Sequence, residues 1–221
     1  GNIYIKHALK KGARFIITDK KSGLGDGENN ILLVKETLGF LLKIASEKRK
    51  VFKGKVIGIT GSVGKTTIKE NLKFFLSTVS KVSASIKSYN NYLGVLISII
   101  NIDLNSNFAI FEIGTNNFNE VKNLTSIIIP QQIIITNIFP THIENFKNTR
   151  NIAKEKSDIF NPEFNSNVNL LILPNSNNDE LFLYKQAKKM KISEVLTLGK
   201  NVNSNYCIQK IDKKNKKILI I

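Results

Sequence analysis

Short apolar runs alternate along this chain with stretches of helical period. Val56, Ile57 and Ile59 predict a buried strand. Ile68, Leu72, Phe75, Leu76 and Val79 then recur at the spacing of one helix face. Upstream, residues 3–11 predict a short helix stopped by Gly12, and residues 14–18 and 31–34 predict strands. The glycine-rich run 22–27 lies between those strands and opens no helix. It predicts a flexible loop rather than a dinucleotide fingerprint. Leu38, Leu41, Leu42 and Ala45 mark one face of a helix that reaches Arg49.

Beyond Val79 the alternation continues. Strands are predicted at 81–83, 108–113, 132–138, 168–173 and 194–198, and helices at 93–100, 119–128, 149–160 and 179–190. Residues 85–93 read as a polar loop, and 206–211 and 217–221 as final strands. This order predicts an α/β fold, a doubly wound and mostly parallel sheet with ligands at the carboxyl ends of its strands. The basic stretch 48–55 reads as a linker, which places a domain boundary near Val51. Residues 1–51 are then the end of a smaller α/β domain, and 52–221 a central domain.

Between the strand ending at Ile59 and its helix stand Thr60, Gly61, Ser62, Val63, Gly64, Lys65, Thr66 and Thr67. They have the chemistry of a phosphate-binding loop. Gly61 and Gly64 let backbone N–H groups turn toward an anion, and the helix N-terminus adds its dipole. Lys65 can reach the β and γ phosphates of a nucleotide, and the Thr66 hydroxyl can ligate Mg²⁺. The strict pattern asks for glycine where Ile59 stands, so a glycine turn that merely precedes Lys-Thr is the bland alternative.

Composition narrows the classes. The 221 residues can hold one large domain or one and a fraction, and 42% are hydrophobic, enough for a core. No apolar run approaches the ~18 residues of a membrane span. The lone Cys207 excludes an internal disulfide and fits a reducing, cytoplasmic setting. The net charge is +16, yet only Arg14, Arg49 and Arg150 are arginines. Dispersed lysines solvate a surface and lack the arginine forks of a base reader, so no nucleic-acid partner is expected. The chain starts at Gly1, and it reads as part of a longer protein.

Three further spots lie at strand ends or behind them. Glu112 closes an apolar strand downstream of the loop, where a carboxylate can hold Mg²⁺ or simply be solvated. His142 follows the 132–138 strand and by itself reads equally as a solvated loop histidine. In the 149–160 helix, Ile152, Ala153, Ile159 and Phe160 form the apolar face, and Lys156 projects from its middle. Lys154 points the other way. A lysine turned inward needs a charge partner or a chemical alteration.

The run T-G-S-V-G-K-T-T, then Asn90-Asn91-Tyr92-Leu93-Gly94, Glu112-Ile113-Gly114-Thr115-Asn116 and Thr136-Asn137-Ile138-Phe139-Pro140-Thr141-His142, resembles the central domain of the Mur ligases. Ser62-Val63, Lys69-Glu70 and Ala153-Lys154-Glu155-Lys156-Ser157-Asp158-Ile159-Phe160 are similar to one branch of that family. This branch joins D-alanyl-D-alanine to UDP-N-acetylmuramoyl-tripeptide. Tyr92, Ser88 and Pro174-Asn175-Ser176 depart from the family pattern.

The resemblance implies an ATP-dependent amide ligase acting through an acyl phosphate in peptidoglycan precursor synthesis, cytoplasmic and monomeric. It implies ATP contacts from Thr60 to Thr67, with catalytic roles for Lys65, Glu112, His142 and Lys156. Mg²⁺ would be held by Thr66, Glu112 and His142, with Glu112 and His142 at neighbouring strand ends beside Thr66. Lys156 would carry a carbamate, and Asn90 and Asn91 would line the substrate side. Residues 1–51 would end a UDP-substrate-binding domain, and 52–221 would be an ATP-binding domain cut short at its end, inactive alone. Two other readings stay open: the diamino-acid-adding Mur ligase or folylpolyglutamate synthase, and a nucleotide-binding remnant without catalysis.

Overall fold

The computed structural model describes residues 2–20, 30–208, 211–214 and 217–220, and the 22–27 loop lies outside them. The chain folds as two compact units, Gly1–Glu47 and Lys48–Ile221. In the first, α1 (Ile5–Lys10) precedes β1 (Ile16–Thr18), which pairs in parallel with β2 (Ile31–Leu33). Then α2 (Thr37–Val51) begins. The division falls inside α2, because the basic stretch does not unwind at Lys48 as a linker would. Lysine and arginine are good helix formers, and positive charge suits a helix C-terminus. Arg49 is used on its own account: Nε donates to the Ile128 carbonyl at 2.5 Å and Nη2 to that of Ile129 at 2.8 Å.

The second unit is built on seven parallel strands. Its elements are β3 (Lys55–Thr60), α3 (Lys65–Ser77), β4 (Val82–Ala84), α4 (Tyr92–Ile100), β5 (Phe108–Glu112), α5 (Glu120–Ile128) and β6 (Gln132–Ile135). They continue as α6 (Ile143–Phe146), α7 (Thr149–Ser157), β7 (Leu170–Pro174), α8 (Asn178–Lys189), β8 (Glu194–Gly199) and β9 (Tyr206–Cys207). The sheet order is β4-β5-β3-β6-β7-β8-β9. A separate antiparallel pair joins β10 (Ile211–Lys214) to β11 (Lys217–Ile220). The short α6 is not foreseen by periodicity, and a 3₁₀ turn (Asp158–Phe160) ends the predicted 149–160 helix.

Strand order creates the site. From β3 the chain runs to one side, toward β4 and β5, while from β6 it runs to the other, through β7 to β9. The crevice at the carboxyl ends of β3 and β6 is therefore the topological switch point where such sheets bind ligands.

One helix face differs from its prediction. Ile68, Leu72 and Leu76 pack on Ile57, Ile59 and Ile110, but Phe75 and Val79 are exposed. The inward stripe is centred closer to Lys69, whose side chain is fully buried. Periodicity counts a lysine as outward, so the predicted face is rotated away from the real one.

Helix ends are held by polar side chains across the fold. The Asn91, Asn148 and Asn177 side chains cap α4, α7 and α8. Glu155, on α7, lies against the start of α5 and accepts from the Asn119 N–H at 2.8 Å and the Val121 N–H at 2.9 Å. Burial raises its pKa, and those two N–H groups oppose the rise. Glu155→Ala leaves a buried helix N-terminus without its acceptor and should cost about 2–3 kcal/mol in urea denaturation. On the same helix, exposed Lys154→Ala should change stability by no more than ~0.5 kcal/mol.

Candidate active site

Gly61 and Gly64 take φ of 140° and 84°, and the loop between β3 and α3 depends on both. A Cβ on Gly61 would overlap the Thr136 side chain, because the loop leans onto the end of β6. The seam between them is continuous. Ser62 N–H donates to the Asn137 carbonyl at 3.1 Å, and Val63 N–H to Asn137 Oδ1 at 3.0 Å. Asn137 Nδ2 and Thr136 Oγ1 both donate to the Val63 carbonyl, at 3.1 and 2.6 Å. Ser62 Oγ donates to the Phe139 carbonyl at 3.0 Å.

These bonds give part of the loop a bracing task. The Ser62 and Val63 N–H groups are spent on β6, and Thr60 is fully buried with its hydroxyl on the Ile113 carbonyl at 2.9 Å. These three residues brace the loop. The N–H groups of the first turn of α3, which helix geometry leaves without intrahelical partners, can meet an anion. Lys65 folds across the loop, its Nζ donating to the carbonyls of Gly61 at 2.8 Å and Ser62 at 3.2 Å. Burial lowers its pKa and Glu112 counteracts the shift.

Glu112 is the meeting point. It is 1% exposed, with Oε2 accepting from Thr66 Oγ1 at 2.9 Å and Oε1 from Asn90 Nδ2 at 3.1 Å. Lys69 Nζ stands 3.7 Å from Oε2. Gly114 makes room for Asn90, whose amide would be struck by a Cβ there at 2.8 Å. Its neighbour Asn91 has a different task, since its Oδ1 accepts from the Gly94 N–H at 2.9 Å and starts α4.

His142 does not join this cluster. β3 lies between β5 and β6, so Glu112 and His142 flank the phosphate loop rather than occupy neighbouring strand ends. His142 has a left-handed backbone (φ 53°), and its Nδ1 is 3.9 Å from Glu144 Oε1. Buried Glu180 fixes the approach to it, accepting from the Ile138 N–H at 3.2 Å and the Ser176 N–H at 2.7 Å.

Lys156 is 2% exposed, as its place on the apolar face of α7 predicts, while Lys154 is exposed. Burial, reinforced by repulsion from Lys65, lowers its pKa from 10.5 to about 7 against the pull of Glu155. Sequence reasoning misses Lys69, Asn137 and Glu180 as site-forming residues. Lys69 and Asn137 stand inside the runs that carry the family resemblance, while no local pattern marks Glu180.

Comparison with known proteins identifies the family. The family model for the Mur ligase middle domain matches residues 59–220. The chain is 37% identical over 199 residues to UDP-N-acetylmuramoyl-tripeptide–D-alanyl-D-alanine ligase of Rickettsia prowazekii, covering 90% of this chain and 44% of that protein. It is 30% identical to the ligase of the same name from Synechocystis, with 90% and 43% covered. It thus spans less than half the length of these curated relatives. The crystal structure of MurF ligase from Thermotoga maritima in complex with ADP superposes with a TM-score of 0.79 at 25% identity, covering 99% of this chain and 49% of that one. With the matched residues running from the end of β3 to the final strand, and the phosphate loop, Glu112 and Lys156 all inside them, the chain belongs to the Mur ligase family.

Proposed function

We propose that this chain carries the ATP-binding part of an ATP-dependent amide ligase that adds D-alanyl-D-alanine to UDP-N-acetylmuramoyl-tripeptide, in the cytoplasm. The observation that carries the reading is the Thr66–Glu112–Asn90 cluster set against the first turn of α3 and Lys65. The shared name of the curated relatives supplies the substrates. Residues 1–51 would then be the end of a UDP-substrate-binding domain.

The reaction transfers the γ-phosphoryl group of ATP to a peptide carboxylate, giving ADP and an acyl phosphate. The D-alanyl-D-alanine amine then attacks the acyl carbon, loses a proton and expels phosphate as the amide forms. The α3 N–H groups and Lys65 would hold the phosphates and stabilise charge on the phosphoryl group in transit. To do so, Lys65 has to leave the Gly61 and Ser62 carbonyls for phosphate oxygens.

Thr66 and Glu112 fit Mg²⁺, offering a hydroxyl and a carboxylate oxygen already side by side. Among the described residues no three His, Cys, Asp or Glu side chains gather around one point. A hard cation there would be shared between a few protein oxygens, water and substrate phosphates. Bound there, Mg²⁺ would neutralise phosphate charge. His142 would reach a second Mg²⁺ together with groups of the bound substrate.

Lys156 suits carbamylation. An amine must be neutral to add CO₂, and burial beside Lys65 favours the neutral form. The resulting anion would pair with Lys65 where the ammonium is now repelled by it.

Lys65→Ala should abolish ATP binding in calorimetry while circular dichroism and melting remain close to the parent chain, because the side chain is half-buried in the loop rather than in the core. Unchanged affinity would overturn the nucleotide reading.

Carbamylation is checked with ¹³C-bicarbonate. A carbamate resonance should grow as pH rises through about 7, vanish in Lys156→Met and persist in Lys154→Met. Without bicarbonate, the lowered pKa means that the unfolded chain binds more protons than the native one between about 7 and 10.5. Parent stability should therefore rise with pH across that window, and the rise should be smaller in Lys156→Met.

A further inference from the structure

Among the described residues Lys69 and Lys156 are the buried lysines, and they are buried in different ways. Lys69 stands one turn after Lys65 and is fully enclosed. An ammonium in that position needs an oxygen for each of its three donors. It has them. Nζ donates to the Ser85 carbonyl at 3.0 Å and to the Lys87 carbonyl, and it pairs with Glu70 Oε1 at 3.0 Å. Glu112 Oε2, at 3.7 Å, is a further counter-charge rather than a tight hydrogen-bond partner.

Two of these contacts are backbone carbonyls of the segment that leads into Asn90. That segment is not relaxed chain. Lys87 adopts φ 47°, a left-handed conformation unfavourable for a residue with a Cβ, and it persists where surrounding contacts hold it. The same segment reaches the cluster from its other end, since Ser85 Oγ accepts from the Glu112 N–H at 3.4 Å. Gly114 N–H donates to the Asn90 carbonyl at 2.9 Å.

We infer that Lys69 is a positioning residue that ties the 85–91 segment and Glu112 to the phosphate-binding helix, so that Thr66, Glu112 and Asn90 are presented as one unit. The inference rests on the nucleotide reading above. Thr66 sits in the first turn of α3 and Lys69 in the second, so a shift of the helix on binding phosphate is carried to Ser85 and Lys87 through one enclosed, fully hydrogen-bonded side chain. The ammonium also prevents the Glu112 carboxylate from turning away from Thr66, because rotation would separate Oε2 from its nearest counter-charge.

The test compares ADP affinity with and without MgCl₂ for the full chain and for Lys69→Met, which keeps an unbranched stem one atom shorter and loses donors and charge. In the parent, Mg²⁺ should tighten ADP binding. In Lys69→Met, ADP affinity in EDTA should stay near the parent value, while the Mg²⁺-dependent gain falls about 10–100-fold, the loss typical when a partner of a metal ligand is removed. A purely stabilising lysine would lower the melting temperature and leave the Mg²⁺ gain intact, and that result overturns the inference. In the background of Asn90→Ala, Lys69→Met should have a smaller effect than alone, since the two act on one carboxylate. Full additivity also counts against it.

Should Lys69→Met not fold, hydrogen exchange on the parent chain decides. Mg²⁺ and ADP together should protect the amides of 85–91 and of the first turns of α3 in parallel, and protection of α3 alone overturns the coupling. Absence of ADP binding by the parent chain would refute the nucleotide reading and this inference with it. Binding with an unchanged Mg²⁺ response refutes the inference alone.

Discussion

The candidate site depends on one carboxylate that the protein almost wholly encloses. Glu112 ends an apolar strand and is 1% exposed, so its oxygens must find donors within the protein. They find them in two places: the Thr66 hydroxyl at the start of α3 and the Asn90 amide before α4. A purely apolar junction would hold these segments in loose register, because hydrophobic contact is non-directional. Hydrogen bonds to one carboxylate fix them by angle as well as by distance. The phosphate-binding helix and the segment before α4 thereby share a reference point.

The other side of the phosphate loop is fixed by a different kind of contact. Ser62 and Val63 are stitched to Thr136, Asn137 and Phe139 at the end of β6, and Gly61 is what lets the two backbones approach. The loop is therefore clamped between β5 and β6, the strands on either side of β3. Buried Glu155 and Glu180 extend the arrangement outward by accepting from backbone N–H groups that would otherwise be orphaned. In each case a carboxylate from one helix satisfies the backbone of a neighbouring turn.

The two buried lysines show why burial alone does not set a residue's chemistry. Lys69 is surrounded by carbonyl and carboxylate oxygens, which suit an ammonium. Lys156 has Glu155 in its favour, but Lys65 repels it and desolvation weighs more than both. One lysine is thus a structural cation and the other a poised amine. Among the described residues the other lysines are mostly on the surface, where they add to the high net charge without marking a site.

Much of this was legible in the sequence because it is local. The alternation of elements, the strand–loop–helix around Gly61 and Gly64, and the inward turn of Lys156 between Ile152 and Ile159 follow from periodicity within single segments. The tertiary structure alone decided which polar groups meet. Thr66 and Glu112 are 46 residues apart, and Ser62 and Phe139 are 77 apart, so no window of helical or strand period joins them. Strand order put β3 between Glu112 and His142, and local hydrogen bonding took the Val63 N–H for Asn137 and the Asn91 side chain for a helix cap. It also drew Lys69 inward and turned α3 with it, leaving Phe75 in solvent. Periodicity reports what an average side chain of each type prefers, whereas a buried lysine is decided by the oxygens that the rest of the fold brings to it.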